Sequence, residues 1–561
     1  MVFTQNNIQQ ATSPYLQQHK DNPVWWQEWS KDVLVYARKK DKIIFASIGY
    51  STCHWCHVMA QEAFSNEDVA AYLNANFVSI KVDREQRPDI DQYAMAFIVS
   101  LGGQGGWPLN IFFTPTLKPI YALTYAPVES HYSMPAFIDI LAQIKKAYDD
   151  QKDKIEPFIF TRTKFVEIKK EHLIKPLGDA FDRVYAGFGA GMKFPQHCTM
   201  LFMLYDYEVN KDSVLQEMIT RTLDKMLESG ISDHLQGGFF RYCVDREWRT
   251  PHFEKMLYDQ ALLLWQYSLA YHVFKKEEYK IAAEKIVRCL HETFERDSLY
   301  VSGHDADTDH LEGDTYLWTY KEIAVILTPE ELMRFKDVYD IAQGGNFEGK
   351  NHLVKRKNVD ISAIEAKLLK IRKKRHQPFV DGKIVTSWNC LLGISFIQAY
   401  RYLENKELLE KAKDIFRGLM ERNYHGGKLY HSSIDAHVQQ EGFLQDWAAM
   451  LLFLTYLHEE TGAYADEMDK FYSKVKGYRT DNDWIESAHR DFLKVPAEIF
   501  DHPIPSSVSM AELAILRVDL LHRRSYDPGQ FSEPLARDFF NITVLIRNGF
   551  LSYERKREGR L

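Results

Sequence analysis

The pattern of apolar and polar positions changes near residue 165. Before that point, apolar runs and alternating segments predict strands at 42–49, 77–83, 109–113 and 119–125. They are interspersed with a helix that begins at residue 53 and with helices at 65–74, 88–101 and 134–150. After it, apolar residues recur at helical spacing in 213–227, 258–274, 278–294, 393–402, 407–420 and 444–460. The pattern therefore predicts an α/β domain at 1–165 and a mainly α domain at 166–561, a multidomain fold.

The most informative motif is Cys-His-Trp-Cys-His at residues 53–57, which directly follows the first predicted strand. A helix is expected to begin at Cys53, and a helix N-terminus favours a thiolate there. Two thiols at this spacing can close into a disulfide and exchange electrons with other disulfides. Cys53 and Cys56 are therefore candidate catalytic residues, with His54 and Trp55 between them as residues that tune potential and access.

Three other interpretations of the motif stay open. C-x-x-C-H also attaches c-type haem, but that group belongs to exported proteins, and the first residues show no basic region followed by an apolar core. A structural zinc usually takes two ligand pairs, and a second C-x-x-C is missing from the sequence. The third interpretation is a pair of buried cysteines without chemistry. We expect no metal and no cofactor.

The predicted order of elements, βαβαββα, is the order of a thioredoxin-like domain. Such domains place a cis-proline immediately before a core strand, beside the dithiol. Pro108 precedes the predicted strand 109–113, so we expect a cis bond there and a role in holding a substrate strand. Trp107 beside it predicts a modified substrate groove.

Composition changes this picture only slightly. The 561 residues carry a net charge of −8, with 26% charged and 45% hydrophobic residues. This balance implies no general attraction to nucleic acid or to a membrane surface, and no apolar segment reaches the ~20 residues of a membrane helix. Six scattered cysteines do not make a disulfide framework, so we expect a cytoplasmic protein in which the dithiol is a working redox couple.

In the helical part, helix pairs alternate with loops rich in glycine and aspartate, which predicts an α/α toroid around a cavity. A helical-repeat scaffold is the competing interpretation, although no short fixed period is visible. Carboxylates, histidines and tryptophans around one cavity suit carbohydrate chemistry, whereas for any single residue a cap, an ion pair or a core position is the simpler explanation. The cavity candidates are Asp233, Arg241, His252, Glu254, Lys255, Asp259, Asp305, Asp307, Glu312, Asp381, Lys383, Trp388, Asn389 and Asp446.

Several long strings resemble the spermatogenesis-associated protein 20 family across nearly the whole chain. These strings are 13–16, His19, 22–29, 47–59, 82–89, 105–108, 251–259 and 305–307. The resemblance implies a thioredoxin-like domain joined to an (α/α)6 toroid similar to six-hairpin glycosidases and N-acylglucosamine 2-epimerases. The chain departs from the family pattern at Met192, Gly382 and 507–509, and it stops earlier than many relatives, so we expect an incomplete last hairpin.

Three functions follow as hypotheses. The first is a thiol–disulfide oxidoreductase acting on a protein or small-molecule thiol or disulfide. The second is a carbohydrate-active enzyme, glycosidase-like or epimerase-like, with His252, Glu254, Asp305 and Asp307 as acid–base groups and a regulatory or vestigial redox domain. The third is a non-catalytic binding protein that holds a partner in the toroid.

Overall fold

A computed structural model describes residues 3–131, 134–160, 171–480, 483–501 and 503–522. The chain forms two compact units. The first unit consists of Met1–Thr163, His431–Glu441 and Asp483–Pro496, and the second unit consists of Lys164–Tyr430, Gly442–Asn482 and Ala497–Leu561. Two later segments therefore belong to the first unit, which the apolar pattern did not indicate. The predicted domain boundary at 165 and the predicted incomplete hairpin at the C-terminus fall on residues outside the described ranges.

The first unit contains a five-stranded sheet in the order β1-β3-β2-β4-β5. β2 and β1 each run parallel to β3, whereas β4 is antiparallel to β2 and β5 is antiparallel to β4. The strands are β1 (Gln27–Glu28), β2 (Ile43–Gly49), β3 (Phe77–Asp83), β4 (Leu109–Phe113) and β5 (Pro119–Leu123). The helices are α1 (Pro14–Gln17), α2 (Lys31–Lys40), α3 (His54–Gln61), α4 (Glu67–Asn76), α5 (Pro88–Ser100) and α6 (Phe137–Gln151), followed by a 3₁₀ turn at Lys152–Lys154.

Both faces of this sheet are covered, so β2 and β3 are buried at every position. Successive side chains of a strand point to opposite faces. Ile43 and Phe45 accordingly belong to one hydrophobic cluster, together with the dithiol and residues of α4 and α6. Ile44 and Ala46 belong to the other, together with residues of α2 and α5. This three-layer arrangement confirms the predicted thioredoxin-like fold.

The second unit is mainly helical. Its helices are α7 (Glu171–Ala180), α8 (His197–Asn210), α9 (Ser213–Glu228), α10 (Leu257–Phe274), α11 (Glu277–Cys289), α12 (Tyr320–Ile326), α13 (Pro329–Val338), α14 (Ser362–Arg372), α15 (Thr386–Leu403), α16 (Lys406–Arg422), α17 (Leu444–Thr461), α18 (Ala465–Lys476) and α19 (Ser507–Leu521). A π-helical turn at Leu290–Phe294 extends α11.

The helices of this unit form an inner and an outer layer. The inner helices α8, α10, α15, α17 and α19 pack against one another in that order, and α9, α11, α16 and α18 each pack on the inner helix that precedes them. A helix buried on all sides is apolar all round, whereas an outer helix needs only one apolar face. Accordingly α10, α15 and α17 are buried along most of their length, and α9 and α16 bury a single stripe. This is the predicted α/α toroid.

Short strands connect the helices. They are β6 (Tyr242–Cys243), β7 (Pro251–His252), β8 (Lys255–Met256), β9 (Glu295–Arg296), β10 (Leu299–Tyr300), β11 (Gly303–His304), β12 (Asp307–Thr308), β13 (Leu311–Glu312), β14 (Val380–Asp381), β15 (Ile384–Val385), β16 (Tyr424–His425), β17 (Lys428–Ile434) and β18 (His437–Glu441). β8, β11 and β14 form one small sheet with β11 in the middle. That sheet brings three of the candidate-bearing loops together.

Within the described ranges, no helix is both long enough and apolar enough to cross a membrane.

Candidate functional site

The dithiol lies where β2 passes into α3. Cys53 is the N-cap of α3, and its Sγ accepts a hydrogen bond of 3.3 Å from the backbone N–H of Cys56. The two cysteines are joined in a disulfide, with their Cα atoms 5.3 Å apart. When the bond is reduced, the partial positive charge of the helix N-terminus stabilises a thiolate at Cys53.

Pro108 lies at the same end of the sheet as the dithiol. Leu109, the first residue of β4, pairs with Ile48 of β2, so Pro108 stands opposite Gly49 at the end of β2. The Trp107–Pro108 peptide bond is cis, as the sequence predicts. The substrate-holding role assigned to Pro108 stays a prediction.

Trp107 is fixed by two charged residues that sequence reasoning missed. Its indole Nε1 donates a hydrogen bond of 2.7 Å to Asp91 Oδ1. The guanidinium of Arg84 lies 3.9 Å above the indole ring and forms a 3.1 Å ion pair with Asp91. Tyr50 packs edge-on against the same ring. This cation–π arrangement orients the tryptophan beside the cis-proline.

The two residues between the cysteines differ in exposure. Trp55 is 49% exposed and lies with its ring 5.2 Å from that of Tyr125, while His54 packs edge-on against Trp55. The Tyr125 hydroxyl donates to Glu62, and burial together with that carboxylate raises the pKa of Tyr125 to about 12. An aromatic surface therefore borders the dithiol loop.

A buried polar group lies behind the dithiol. Lys81 of β3 donates a hydrogen bond of 3.0 Å to Ser47 Oγ of β2, and its ammonium lies over the rings of Tyr15, Trp26 and Phe64 at 4.4–4.9 Å. Burial lowers the pKa of Lys81 well below its usual value. Sequence reasoning missed this group because 77–83 shows only the ordinary alternation of a strand.

The other four cysteines have a different setting. Cys198, Cys243, Cys289 and Cys390 are all buried thiols outside the disulfide. Burial raises the pKa of each of them, which suppresses the reactive thiolate. Cys53 and Cys56 are the pair joined in a disulfide among the six cysteines.

In the second unit, four candidate residues form one hydrogen-bonded chain. Arg241 Nη1 lies 3.0 Å from Glu254 Oε1, which is 3.3 Å from His252 Nε2. His252 Nδ1 lies 2.6 Å from Glu312 Oε1. Glu312 of β13 is paired with Asp307 of β12, so the structure also places Asp307 next to these four side chains.

Neighbouring charges keep His252 protonated and Glu254 ionised within this group of hydrogen-bonded side chains. Burial by itself would lower the pKa of His252, but Glu254 and Glu312 outweigh it and raise the pKa to about 10. Burial would raise the pKa of Glu254, but Arg241 and His252 lower it to about 2. At neutral pH the histidine is therefore an imidazolium between carboxylates.

Two further groups of candidates form buried ion pairs. Asp233 accepts from Lys255 Nζ over 2.7 Å and from Arg372, and these cations hold the pKa of Asp233 below its usual range against the effect of burial. Lys383 pairs with Asp381 over 2.7 Å, and both side chains are fully buried. Asp381 and Lys255 come from β14 and β8, on the two sides of β11.

The remaining candidates lie near the N-termini of inner helices or in the β11–β12 loop. Asp259 of α10 lies 2.8 Å from His197 Nε2 of α8, and burial raises its pKa. Asp305 Oδ1 accepts from the backbone N–H of Asp307. Asp446 Oδ2 accepts from the backbone N–H of Phe443 at the start of α17.

Trp388 and Asn389 begin α15. Trp388 packs edge-on against Tyr258 of α10 with ring centroids 4.8 Å apart. The amide of Asn389 donates to Tyr300 O and accepts from Tyr300 N–H, so it ties α15 to β10. Ser387 accepts a hydrogen bond from Gln445 of α17. The N-terminal ends of successive inner helices therefore contact one another.

Comparisons with known proteins give a family model for the first part of the chain and a solved structure of low similarity for much of it. The family model Thioredox_DsbH, described as "Protein of unknown function, DUF255", matches residues 5–165. A solved structure of cellobiose 2-epimerase from Spirochaeta thermophila DSM 6192 is similar with a TM-score of 0.44 and 10% identity, covering 67% of this chain and 81% of that one.

Two relatives match over most of their length. An uncharacterised protein of Caenorhabditis elegans is 33% identical over 595 residues, which cover 93% of this chain and 81% of that protein. Spermatogenesis-associated protein 20 of Homo sapiens is 31% identical over 532 residues, which cover 81% of this chain and 67% of that protein. The chain belongs to the spermatogenesis-associated protein 20 family.

Proposed function

We propose that this protein is a thiol–disulfide oxidoreductase. The observation that carries the proposal is the Cys53–Cys56 disulfide at the N-terminus of α3 in a thioredoxin-like unit. A helix N-terminus lowers the pKa of the thiol placed there, and a second thiol one turn later can resolve a mixed disulfide.

The reaction takes place in two exchanges. The Cys53 thiolate attacks a substrate disulfide, forming one S–S bond and releasing the first substrate thiolate, which takes up a proton. Cys56 then attacks Cys53 Sγ of the mixed disulfide, closing the protein disulfide and releasing the second thiol. The protein dithiol is oxidised and the substrate disulfide is reduced, and the reverse sequence oxidises a substrate dithiol.

The neighbouring residues take supporting roles in this proposal. Pro108 positions the substrate beside Cys53, and His54 and Trp55 adjust access and reduction potential. The substrate is a protein or small-molecule disulfide, and neither nucleic acid nor a membrane takes part. A reducing cytoplasm suits a couple that must be returned to the dithiol state.

Substrate trapping tests the proposal. In Cys56→Ser the second exchange cannot occur, so a mixed disulfide at Cys53 should accumulate in a cell extract. Non-reducing electrophoresis followed by mass spectrometry would identify the trapped thiols. Cys53→Ser should trap nothing, and Cys198→Ser, which removes a buried thiol outside the disulfide, should behave as the wild type. An empty trap with Cys56→Ser, together with an alkylation rate at Cys53 equal to that of an ordinary thiol, would refute the proposal.

A second candidate function rests on the chain Arg241–Glu254–His252–Glu312. A protonated imidazole between ionised carboxylates can transfer a proton to or from a bound ligand, which is the chemistry of glycosidases and epimerases. In this proposal the toroid binds a sugar near the N-terminal ends of its inner helices, and Asp305 and Asp307 are further acid–base candidates.

Calorimetry with cellobiose and mannose tests the second candidate. Glu254→Gln should abolish binding or turnover, whereas Glu217→Gln, on the exposed surface of α9, should leave both unchanged. Cys53→Ser should spare the sugar activity if the redox unit is regulatory or vestigial. Binding that survives Glu254→Gln without turnover in any variant would support the non-catalytic alternative.

A further inference from the structure

The Tyr15 side chain is buried behind the dithiol. Its position is set by α1, whose N-cap residue Ser13 donates a hydrogen bond of 2.6 Å to Asp83 at the end of β3. Among the described residues, the Tyr15 hydroxyl meets no partner in hydrogen-bonding geometry. A buried hydroxyl without a partner is costly, which suggests that it serves a second state of the site.

Gly49 shows where this hydroxyl points. A Cβ built on Gly49 would overlap the Tyr15 hydroxyl oxygen and would lie only 2.7 Å from Cys56 Sγ. The hydroxyl and the sulfur therefore converge on the same Cα. Tyr15 and Cys56 also belong to one hydrophobic cluster, which keeps water away from both.

The surroundings keep the Tyr15 hydroxyl protonated and place an amine over its ring. Lys81 lies 4.9 Å from the Tyr15 ring centroid and donates to Ser47, which is close enough to Tyr15 to oppose the rise in its pKa. Burial, reinforced by Asp83, raises the pKa of Tyr15 well above its usual value, so the hydroxyl keeps its proton. The titratable groups around this site are Tyr15, His19, Lys81 and Asp83, together with His54 and His57 on α3 itself.

We propose that Tyr15 is a positioning residue for the resolving cysteine: its hydroxyl donates a hydrogen bond to the Cys56 thiolate. The inference rests on the proposed oxidoreductase function and assigns a role within its second exchange. In the disulfide state Cys56 Sγ is bonded to Cys53 Sγ, and the Tyr15 hydroxyl has no hydrogen-bond partner among the described residues. In the reduced state it stabilises the nucleophile.

The step balances without a further reactant. Cys56 releases its thiol proton to solvent, and its thiolate accepts the hydrogen bond from Tyr15. The electron pair of that thiolate forms the bond to Cys53 Sγ, the bond between Cys53 and the substrate sulfur breaks, and its electron pair leaves on the substrate thiolate. That thiolate takes up a proton from solvent, so the substrate disulfide is the oxidant of the cycle.

Reaction of the reduced full chain with a chromogenic aromatic disulfide resolves the two exchanges. The first release of coloured thiol reports attack by Cys53, and the second reports attack by Cys56. Tyr15→Phe should slow the second phase about tenfold at neutral pH and raise its pH midpoint by about one unit, because a hydrogen bond to a charged group is lost. The first phase should stay within about twofold of the wild type.

Tyr148→Phe is the matched control. It removes a hydroxyl from a buried tyrosine of the same cluster, where Tyr148 donates to Asp41 over 2.9 Å. Both phases should then keep the wild-type rates. Tyr15→Phe removes an unpartnered hydroxyl and keeps the ring, so its melting temperature should match or exceed that of the wild type.

A second measurement observes the thiolate directly. In Cys53→Ser, ultraviolet absorbance of the Cys56 thiolate gives the pH midpoint of Cys56, and adding Tyr15→Phe should raise it. An unchanged midpoint, or equal slowing of both phases, would overturn the role of Tyr15 and leave the oxidoreductase proposal intact. A wild-type chain that releases no second thiol would instead overturn the oxidoreductase proposal.

Discussion

Lys81 in the first unit and Lys383 in the second unit are both buried, but their partners differ. Lys383 lies 2.7 Å from Asp381, whereas Lys81 donates to the Ser47 hydroxyl and lies over aromatic rings. Among the described residues, no carboxylate lies within ion-pair distance of Lys81. Burial therefore keeps Lys383 in a compensated pair and depresses the pKa of Lys81.

The two lysines therefore represent two kinds of buried charge, one paired with a carboxylate and one hydrogen-bonded to a neutral hydroxyl. A buried charge with a matched partner is retained because removing either member leaves the other uncompensated. A buried cation without a carboxylate opposes folding, and it is tolerated where another state of the site uses it. By this comparison, the buried amine with the depressed pKa is Lys81, which lies over the Tyr15 ring in the first unit. Lys383 of the toroid is instead held in an ion pair.

The largest expected effect is a loss of stability in Lys383→Met. This change leaves Asp381 buried without its cation, so it should lower the free energy of unfolding of the second unit by about 3–5 kcal/mol. Lys81→Met should change the stability of the first unit by less than ~1 kcal/mol, or raise it, because no carboxylate is abandoned. Peptide-resolved hydrogen exchange in guanidinium gradients would report the two units separately. Equal losses of unfolding free energy in Lys383→Met and Lys81→Met would contradict the distinction between the two lysines.

A smaller effect is expected in Gly49→Ala. The new methyl group would meet the Tyr15 hydroxyl and Cys56 Sγ, so it should cost about 1–3 kcal/mol and separate these two groups. Gly382→Ala is the control, since a Cβ there meets nothing within 4 Å and should change stability by less than ~0.5 kcal/mol. Thermal unfolding gives the stabilities, and the second phase of disulfide exchange gives the functional effect. If Gly49→Ala is as stable as Gly382→Ala, the Tyr15 hydroxyl and Cys56 Sγ do not lie as close to Gly49 as the structure shows.

A further difference between the two units is a pair of opposite pH slopes. The folded pKa of His252, about 10, exceeds its unfolded value, so its contribution to stability is complete below about pH 6.5 and is lost as the pH rises toward 10. The folded pKa of Lys81 is depressed, so the unfolded chain binds the extra proton and stability rises with pH below about 10.4. Unit-resolved exchange between pH 7 and 10 should show the second unit losing stability while the first gains it. His252→Gln and Lys81→Met should flatten the respective slopes.

Much of the fold follows from local patterns. The strand at 77–83 has the predicted bounds, and the helix that begins at Pro88 ends one residue before its predicted end, because strand alternation and an N-terminal proline are local signals. The predicted helices omit α1, α2, α7, α8, α12–α14, α18 and α19. Of these, α12–α14 lie in the long connection between α11 and α15, where a pattern of apolar residues does not separate a helix from a loop. The dithiol and the cis-proline were also found from sequence, since both depend on short motifs.

The environment of the site was less predictable. Ser13-Pro-Tyr-Leu stands out in the sequence only as a family string, and nothing local shows that the side chains of Tyr15 and Cys56 both lie against Gly49. In the toroid, residue type alone could not tell a ligand-binding carboxylate from a member of an ion pair, so Asp233 and Asp381 stood among the candidates beside Glu254. Whether Asp233 is held in an ion pair depends on cationic side chains that are distant from it in the sequence.

The later segments His431–Glu441 and Asp483–Pro496 have a consequence for biosynthesis. Arg87 pairs with Asp89 but also with Asp491, and Phe492 and Val495 complete one of the two clusters that cover the sheet. A ribosome therefore synthesises most of the toroid before the first unit receives its last core residues. The unit that begins the chain is among the last to be finished, and a nascent chain released early would expose an open sheet face to chaperones.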